Sequence, residues 1–277
     1  MDHHSRGRLC WPAGWVLLAG ALLTGCSVRH MIYPAPSVSV GPPPPPLAEI
    51  VLPLADGTQV VAWHRSDADL GTRRPAMVFF HGNGENLETM KWAGLYADLL
   101  TLEVPFLAVD YPGYGRSTGQ PSEESLTEAA EVALDWLTER YPERPVVPCG
   151  WSLGAALAVY LAAERPQQVD AVVAMSPWTS MADVAKAHFP DWLVGLGLRE
   201  RYDSLAAAQR VSRPALILHG ARDRIIPVTQ GETLALALEQ ATWVRLETAG
   251  HNDLLGFPEV WQHLGVFLAD LSPVAGV

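Results

Sequence analysis

The chain has 277 residues, of which 49% are hydrophobic and 18% are charged, and its formal net charge is −11. This apolar fraction is enough to form a substantial buried core, which excludes a wholly disordered chain. Phosphate binding needs a concentrated positive face, and the excess of acidic residues argues against one, so we expect no nucleic-acid partner.

The first 25 residues have the pattern of a secretory signal peptide. Arg6 and Arg8 precede an apolar run, Val16–Leu23, which is shorter than the roughly 20 apolar residues that a membrane span takes. Such a segment is removed from the mature protein and has no part in the fold. We therefore expect residues 1–25 to be cleaved.

A cysteine follows directly at the expected cleavage site. The sequence Leu23–Cys26 (LTGC) resembles a bacterial lipobox, in which the cysteine is acylated and becomes the mature N-terminus. The alternative is ordinary secretion with a cysteine at this place by chance. We predict a lipid anchor on Cys26 in the bacterial cell envelope, with a periplasmic domain, and Ser27 favours the outer membrane over the inner. Cys149 then remains as a free thiol, and its apolar neighbours predict a buried core residue.

Proline dominates the segment after the expected anchor. Five consecutive prolines, Pro42–Pro46, favour a stiff polyproline II conformation. At about 3.1 Å per residue, such a segment would extend up to roughly 70 Å. We predict that residues 26–48 form a lipidated N-terminus and an extended tether.

Strand and helix patterns alternate from Glu49 onwards, which is typical of an α/β fold with a mostly parallel sheet. Ile50–Leu54 and Gln59–His64 predict a hairpin across Ala55-Asp56-Gly57. Apolar runs predict six further strands: Ala76–Phe80, Phe106–Val109, Pro145–Cys149, Ala171–Ala174, Ala215–Leu218 and Trp243–Leu246. Helices are predicted at Ser125–Tyr141, with Ser125 and Glu128 as a capping box, at Ala155–Glu164 and at Glu259–Leu268.

The most specific motif lies between a predicted strand and a predicted helix. Gly150–Gly154 reads Gly-Trp-Ser-Leu-Gly, and a turn this tight needs glycine on both sides of the serine. Ser152 is thereby raised above the sheet edge at a helix N-terminus, where developing negative charge is favoured. The alternative is a helix-capping serine between unrelated glycines. Because strand, turn and helix agree, we predict a nucleophile.

Four blocks together resemble the α/β-hydrolase superfamily, and in particular its BEM46-like branch of ABHD12-, ABHD13- and ABHD17-type lipases and thioesterases. They are His81–Asn86, Asp110–Ser117, Gly150–Gly154 and Gly250–Asp253, with Ser176–Ser180 in addition. The resemblance implies a three-layer fold with helices on both faces of the sheet, one domain over residues 49–277, and a short cap at about 177–214.

The resemblance also implies the chain order serine, acid, histidine. His251, in a glycine-led loop, is the expected base, whereas His263 falls within the last predicted helix. Asp223, after the penultimate strand, is the expected acid, and Asp183 is the alternative because some relatives place the acid there. A serine hydroxyl needs both partners to act as a nucleophile.

Other polar residues in these blocks are predicted to have structural roles. Asp253 is expected to order the His251 loop, and Asp110 to brace the loop after its strand. His81 and His219 each end a buried strand before a glycine, which favours buried, hydrogen-bonded histidines.

Two backbone N–H groups are expected to bind the oxyanion. The fold supplies one from the residue after the nucleophile, Leu153, and one from the loop after the third strand, matched here by Asn83. A phosphate-binding loop is the rival interpretation of Gly82 and Gly84, but no Gly-Lys-Ser/Thr follows. The histidines lack metal-ligand spacing, so neither a metal nor another cofactor is implied.

These expectations combine into one function. They predict a membrane-tethered serine hydrolase that cleaves carboxylic ester or thioester bonds of small or lipid-like acyl substrates through an acyl-enzyme. An apolar cap suits a lipid-like ester; its large apolar residues are Trp178, Met181, Phe189, Trp192, Leu193, Leu196 and Leu198. A peptidase, an acyltransferase or a catalytically silent envelope binding protein remain alternatives on the same residues.

Overall fold

The computed structural model describes residues 32–66, 74–192, 194 and 198–271. The predicted signal peptide and Cys26 lie outside these residues. Within the described part of the chain, no helix is long and apolar enough to cross a bilayer.

An eight-stranded sheet organises the molecule, and its strand order is β1-β2-β4-β3-β5-β6-β7-β8. The strands are β1 Ala48–Pro53, β2 Gln59–Arg65, β3 Ala76–Phe80, β4 Phe106–Val109, β5 Val146–Trp151, β6 Val172–Met175, β7 Ala215–Gly220 and β8 Ala241–Leu246. The β1–β2 and β2–β4 pairs are antiparallel, and all other pairs are parallel. The predicted mostly parallel α/β fold is confirmed.

Helices cover both faces of the sheet, and each face has its own apolar core. The helices are α1 Leu87–Trp92, α2 Leu95–Thr101, α3 Glu123–Arg140, α4 Leu153–Glu164, α5 Met181–Lys186, α6 Ser204–Ala208, α7 Val228–Ala237 and α8 Pro258–Asp270, with a 3-10 turn at Leu254–Gly256. One core contains α3, α4, α6 and α7, and the other contains α1, α2 and α8. The central strands are consequently buried on both sides, as their continuous apolar runs predict.

Helix α3 begins earlier than the sequence pattern predicts. Ser122 is the N-cap and forms a reciprocal capping box with Ser125, so the predicted Ser125–Glu128 box is wrong. The helix extends to Glu123, which places Glu128 in its interior, and the Glu128 carboxylate instead accepts the Ala55 N–H at 2.9 Å.

The segment from Ile32 to Leu47 packs against the domain, so the predicted free tether is wrong for these residues. The side chains of Tyr33, Val40 and Leu47 are buried. Asn86 Nδ2 donates to the Val38 carbonyl at 3.1 Å, among other polar contacts with this segment. Burial of apolar side chains and pairing of backbone groups outweigh the extension that a proline-rich composition favours.

A short cap connects β6 to β7. Its N-terminal part is held in place, because Trp178 is buried and its indole N–H donates to the Tyr202 carbonyl at 3.2 Å. Phe189 and Trp192 are exposed. Leu193 and Leu196 lie outside the described residues. The carboxyl ends of the parallel strands face this side of the molecule.

Candidate active site

Ser152 occupies a strained turn between β5 and α4. Its φ of 56° and ψ of −113° are unusual for a residue with a side chain. A Cβ at Gly150 would lie 2.0 Å from the Gly154 carbonyl oxygen, and one at Gly154 would lie 2.0 Å from the Phe80 carbonyl oxygen. Only glycine fits at either position, so the motif's glycines are explained by contact distances as well as by sequence.

His251 lies beside Ser152. Its Nε2 atom is 3.1 Å from the Ser152 Oγ atom, within hydrogen-bond distance. Asp253 orders the loop, since its Oδ1 atom accepts the Gly250 N–H at 2.6 Å. His263, the other downstream histidine, is exposed on α8 and stands apart from this arrangement.

Asp223 completes a chain of three side chains. Its Oδ2 atom is 2.7 Å from His251 Nδ1, and its Oδ1 atom accepts the N–H groups of Ile225 and Ile226 at 2.9 and 2.7 Å. Burial alone would raise the pKa of Asp223, but hydrogen bonds from His219 and His251 outweigh it and lower the pKa. The carboxylate is therefore ionised and orients the imidazole with Nδ1 protonated.

The alternative acid has other partners. Asp183 Oδ2 accepts the hydroxyls of Thr179 and Ser180 at 2.8 and 2.7 Å, and the same carboxylate forms an ion pair with Lys186. These contacts fix the start of α5. The partners of the Asp183 carboxylate are therefore Thr179, Ser180 and Lys186 and not His251.

The loop after β3 passes directly over the nucleophile turn. A Cβ at Gly82 would lie 2.5 Å from the Trp151 ring, so the loop backbone is in close contact with the residue before Ser152. The Asn83 and Leu153 backbone N–H groups have no hydrogen-bond partner among the described residues. Tyr114 fixes the Asn83 peptide, because its hydroxyl donates to the Asn83 carbonyl and side-chain oxygens at 3.0 and 2.7 Å.

Three residues that support the site were not predicted to have this role. His219 Nε2 lies 3.0 Å from the Ile226 carbonyl and 3.2 Å from Asp223 Oδ2, so it is a second histidine on the acid. Glu85 accepts the Gly82 N–H at 3.1 Å, and burial raises its pKa. Tyr114 belongs to the motif Asp110–Ser117, but its sequence position gives no sign of its contact with Asn83.

His81 is buried and hydrogen-bonded, as predicted, and Asp110 contacts the end of the loop after β3, whereas the prediction placed it against the loop after its own strand. His81 Nδ1 is 2.7 Å from the Gly82 carbonyl, and Asp110 accepts the Leu87 N–H at 2.9 Å. Cys149 is fully buried in β5, and burial raises the pKa of its thiol. Within the described residues, no group of histidine, cysteine and carboxylate side chains has the arrangement of a metal site.

The arrangement has the geometry for nucleophilic catalysis. His251 Nε2 is placed to take the Ser152 proton, and ionised Asp223 is placed to stabilise the imidazolium that would result.

Comparison with known proteins identifies the family of the chain. The sequence pattern of the family described as alpha/beta hydrolase fold matches residues 75–196. The Mycobacterium tuberculosis protein Rv2307c is 36% identical over 235 residues, covering 81% of this chain and 80% of the relative.

The chain belongs to the α/β-hydrolase superfamily. The resemblance to ABHD12 and Bem46 proteins is confirmed, because lysophosphatidylserine lipase ABHD12 of Xenopus tropicalis is 31% identical over 183 residues. That match covers 60% of this hydrolase and 47% of ABHD12. The Pyrococcus furiosus esterase Pf2001 has the same fold, with a TM-score of 0.69 and 19% identity over 86% of this chain and 98% of that one.

Proposed function

We propose that this hydrolase is a serine hydrolase that cleaves carboxylic ester or thioester bonds of small or lipid-like acyl substrates. The observation that carries the proposal is the chain of hydrogen bonds from Ser152 Oγ to His251 Nε2 and from His251 Nδ1 to Asp223, at 3.1 and 2.7 Å. Relatives named as a lipase and an esterase support the substrate class.

The reaction proceeds in two acyl transfers. Ser152 Oγ attacks the carbonyl carbon, its proton passes to His251 Nε2, and the N–H groups of Asn83 and Leu153 stabilise the oxyanion. The C–O or C–S bond breaks as His251 protonates the departing alcohol or thiol, which leaves the acyl group on Ser152. Water then attacks the acyl-enzyme, gives its proton to His251, and releases the carboxylic acid and free Ser152.

Probe labelling tests the nucleophile. We expect a fluorophosphonate to label the wild-type protein, and we expect Ser152→Ala to lose labelling together with about 10⁶-fold of kcat on p-nitrophenyl esters. Cys149→Ala is the matched control, because Cys149 lies three residues earlier with its side chain in the core. Labelling that persists in Ser152→Ala contradicts the mechanism.

The same assay distinguishes the rival functions. An unlabelled, inactive wild-type protein would indicate a binding protein. Acyl transfer to an added alcohol in preference to water would indicate an acyltransferase, and cleavage of a peptide substrate in preference to esters would indicate a peptidase. Rising turnover from acetyl to palmitoyl esters is expected for a lipid-like substrate, and no rise would contradict that class.

We further propose that residues 1–25 are removed, that Cys26 carries a lipid anchor, and that residues 49–277 form the hydrolase domain in the periplasm at the outer membrane. The LTGC sequence supports the anchor. Incorporation of an alkyne palmitate analogue should occur in the wild-type chain and in Cys149→Ala, and should be lost in Cys26→Ser. Soluble, unlabelled wild-type protein would contradict the anchor, and density-gradient separation of the two membranes tests its location.

A further inference from the structure

The docked N-terminal segment contacts the proposed oxyanion loop at Ile32. Asn83 Nδ2 donates to the Ile32 carbonyl, and Asn83 is the residue of the proposed oxyanion loop. The next residue, Tyr33, is buried, and its hydroxyl lies 2.8 Å from the Tyr202 hydroxyl in the cap. Ile32 is therefore fixed between the oxyanion loop and the cap, at the carboxyl edge of the sheet.

This position limits how far the site can lie from the proposed anchor. Cys26 and Ile32 are six residue-to-residue steps apart along the chain. A fully extended chain spans at most about 3.6 Å per residue, so the two Cα atoms are no more than about 22 Å apart. The longer distance that a free proline-rich tether would allow is excluded, because that tether is packed against the domain.

An apolar surface lies on the same edge. We define the apolar rim as Phe189, Trp192 and Ile225, whose exposed fractions are 49%, 69% and 42%. His188 Nε2 lies 2.7 Å from the Ile225 carbonyl, which joins the cap to the loop that carries the proposed acid. The Ile225 N–H in turn donates to the Asp223 carboxylate. The apolar rim is thus attached to the site itself.

We propose that the apolar rim contacts the lipid bilayer and that the site opens onto the membrane surface, so that acyl substrates enter directly from the membrane. This proposal rests on the lipid anchor and deepens the proposed function. Because Ile32 is no more than about 22 Å from Cys26, a lipidated Cys26 would keep this edge of the sheet close to the membrane. The surface that the rim contacts is therefore the lipid bilayer. Exposed tryptophan and phenylalanine side chains are suited to the interface between lipid and water.

Paired variants test the rim. The control surface is Leu236 and Val266, which are 84% and 63% exposed. Leu236 lies near the end of α7, which runs back from the carboxyl edge to the start of β8, so it faces the opposite edge of the sheet. We compare Phe189→Ser/Trp192→Ser with Leu236→Ser/Val266→Ser in the full lipidated chain.

Two substrates separate membrane contact from chemistry. On phosphatidylcholine vesicles that contain p-nitrophenyl palmitate, we expect the rim variant to lose about tenfold of its turnover. On soluble p-nitrophenyl acetate we expect the rim variant to lose much less turnover than on vesicles, and we expect the control variant to lose equally little on the two substrates. Equal loss in the rim and control variants on vesicles, or full retention in both, would overturn the proposal.

A spectroscopic measurement tests the orientation without requiring turnover. A polarity-sensitive fluorophore on Trp192→Cys should shift to shorter wavelength on vesicles, whereas the same fluorophore on Leu236→Cys should not shift. Labelling is selective in the proposed mature form, because Cys10 is removed with the signal peptide, Cys26 is acylated and Cys149 is fully buried. Equal emission at the two positions would overturn the orientation. A wild-type chain that fails to hydrolyse p-nitrophenyl acetate would contradict the proposed function instead, and the fluorophore would still report the orientation.

Discussion

The nucleophile turn and the N-terminal segment meet at the active site, yet their sequences indicate their structures to very different degrees. At the turn, Ser152 has a strained φ of 56°, and each flanking glycine is required by a carbonyl oxygen 2.0 Å from a would-be Cβ. The proline-rich segment Ile32–Leu47 has no sequence motif that predicts its position. Buried apolar side chains and hydrogen bonds to other parts of the chain hold it against the domain. Catalytic geometry is thus encoded by local constraints, while its support comes from long-range packing.

Among the residues that support the nucleophile, the largest effect is expected at the acid. Asp223→Asn keeps the shape of the side chain but removes the charge that orients His251, so kcat on p-nitrophenyl acetate should fall about 10⁴-fold. Fluorophosphonate labelling should slow in parallel, while circular dichroism stays unchanged. Asp183→Asn is the matched control and should remain within about threefold of wild type, since Asp183 pairs with Thr179 and Ser180. A large loss in that variant would transfer the acid role to Asp183.

A smaller effect is expected where the oxyanion loop is held. Tyr114→Phe removes the hydroxyl that donates to both oxygens of Asn83. Loss of one oxyanion donor costs about 10²–10³-fold in kcat, so looser positioning of that donor should cost roughly tenfold. Tyr160→Phe is the control, because its hydroxyl bonds Glu131 away from the site. Equal kcat values in the two variants would mean that Tyr114 does not position the loop.

Replacement of Glu85 should change the stability and the activity of the protein in opposite directions, and the change in stability should depend on pH. Burial raises the pKa of Glu85 in the folded chain. Above that raised pKa the ionised carboxylate lowers the free energy of unfolding. This destabilisation disappears as the pH falls below the pKa of Glu85 in the unfolded chain, about 4.3, because the carboxyl is then protonated in both states. Glu85→Gln should therefore raise the melting temperature by a few degrees at pH 8, with the difference shrinking toward pH 4. Its kcat should fall a few-fold, because the ionised Glu85 carboxylate accepts the Gly82 N–H in the proposed oxyanion loop, and a neutral amide oxygen accepts it less strongly.

A melting temperature difference that is constant between pH 4 and pH 8 would contradict this account of Glu85. Glu128→Gln is the control, because Glu128 accepts one backbone N–H at an exposed position far from His251. We expect Glu128→Gln to leave the pH dependence of the melting temperature and of kcat unchanged.

The smallest effect is expected where the N-terminal segment meets the cap. Tyr33→Phe removes one hydroxyl of the buried Tyr33–Tyr202 pair. Such a loss should lower the free energy of unfolding by about 1 kcal/mol and leave kcat on soluble p-nitrophenyl acetate within about twofold. Urea unfolding of Tyr33→Phe, Tyr202→Phe and the double variant should give a coupling free energy of about 0.5–1.5 kcal/mol between the two hydroxyls. No coupling would mean that the pair does not hold the segment.

The sequence predicts those parts of the site that rest on local constraints. Ser152 is identified by its glycines, and the distances at the site agree with the predicted pairing of His251 and Asp223. The support is not predictable in this way, because the contact of His219 with Asp223 depends on how the turn between these residues and Ile226 folds. The strands are likewise recognisable from continuous apolar runs, whereas the start of α3 depends on which of two nearby serines caps it.

The packing of residues 32–47 also decides where a soluble form of the protein can begin. A chain cut at Glu49, where the strand and helix pattern starts, would lack Tyr33, Val40 and Leu47 and would expose the apolar surfaces they cover. It would also leave the Asn83 side-chain amide without its Ile32 partner. A soluble variant that keeps the loop after β3 in place therefore has to start upstream of Ile32, with Cys26, the proposed acylation site, replaced and the proline-rich segment retained.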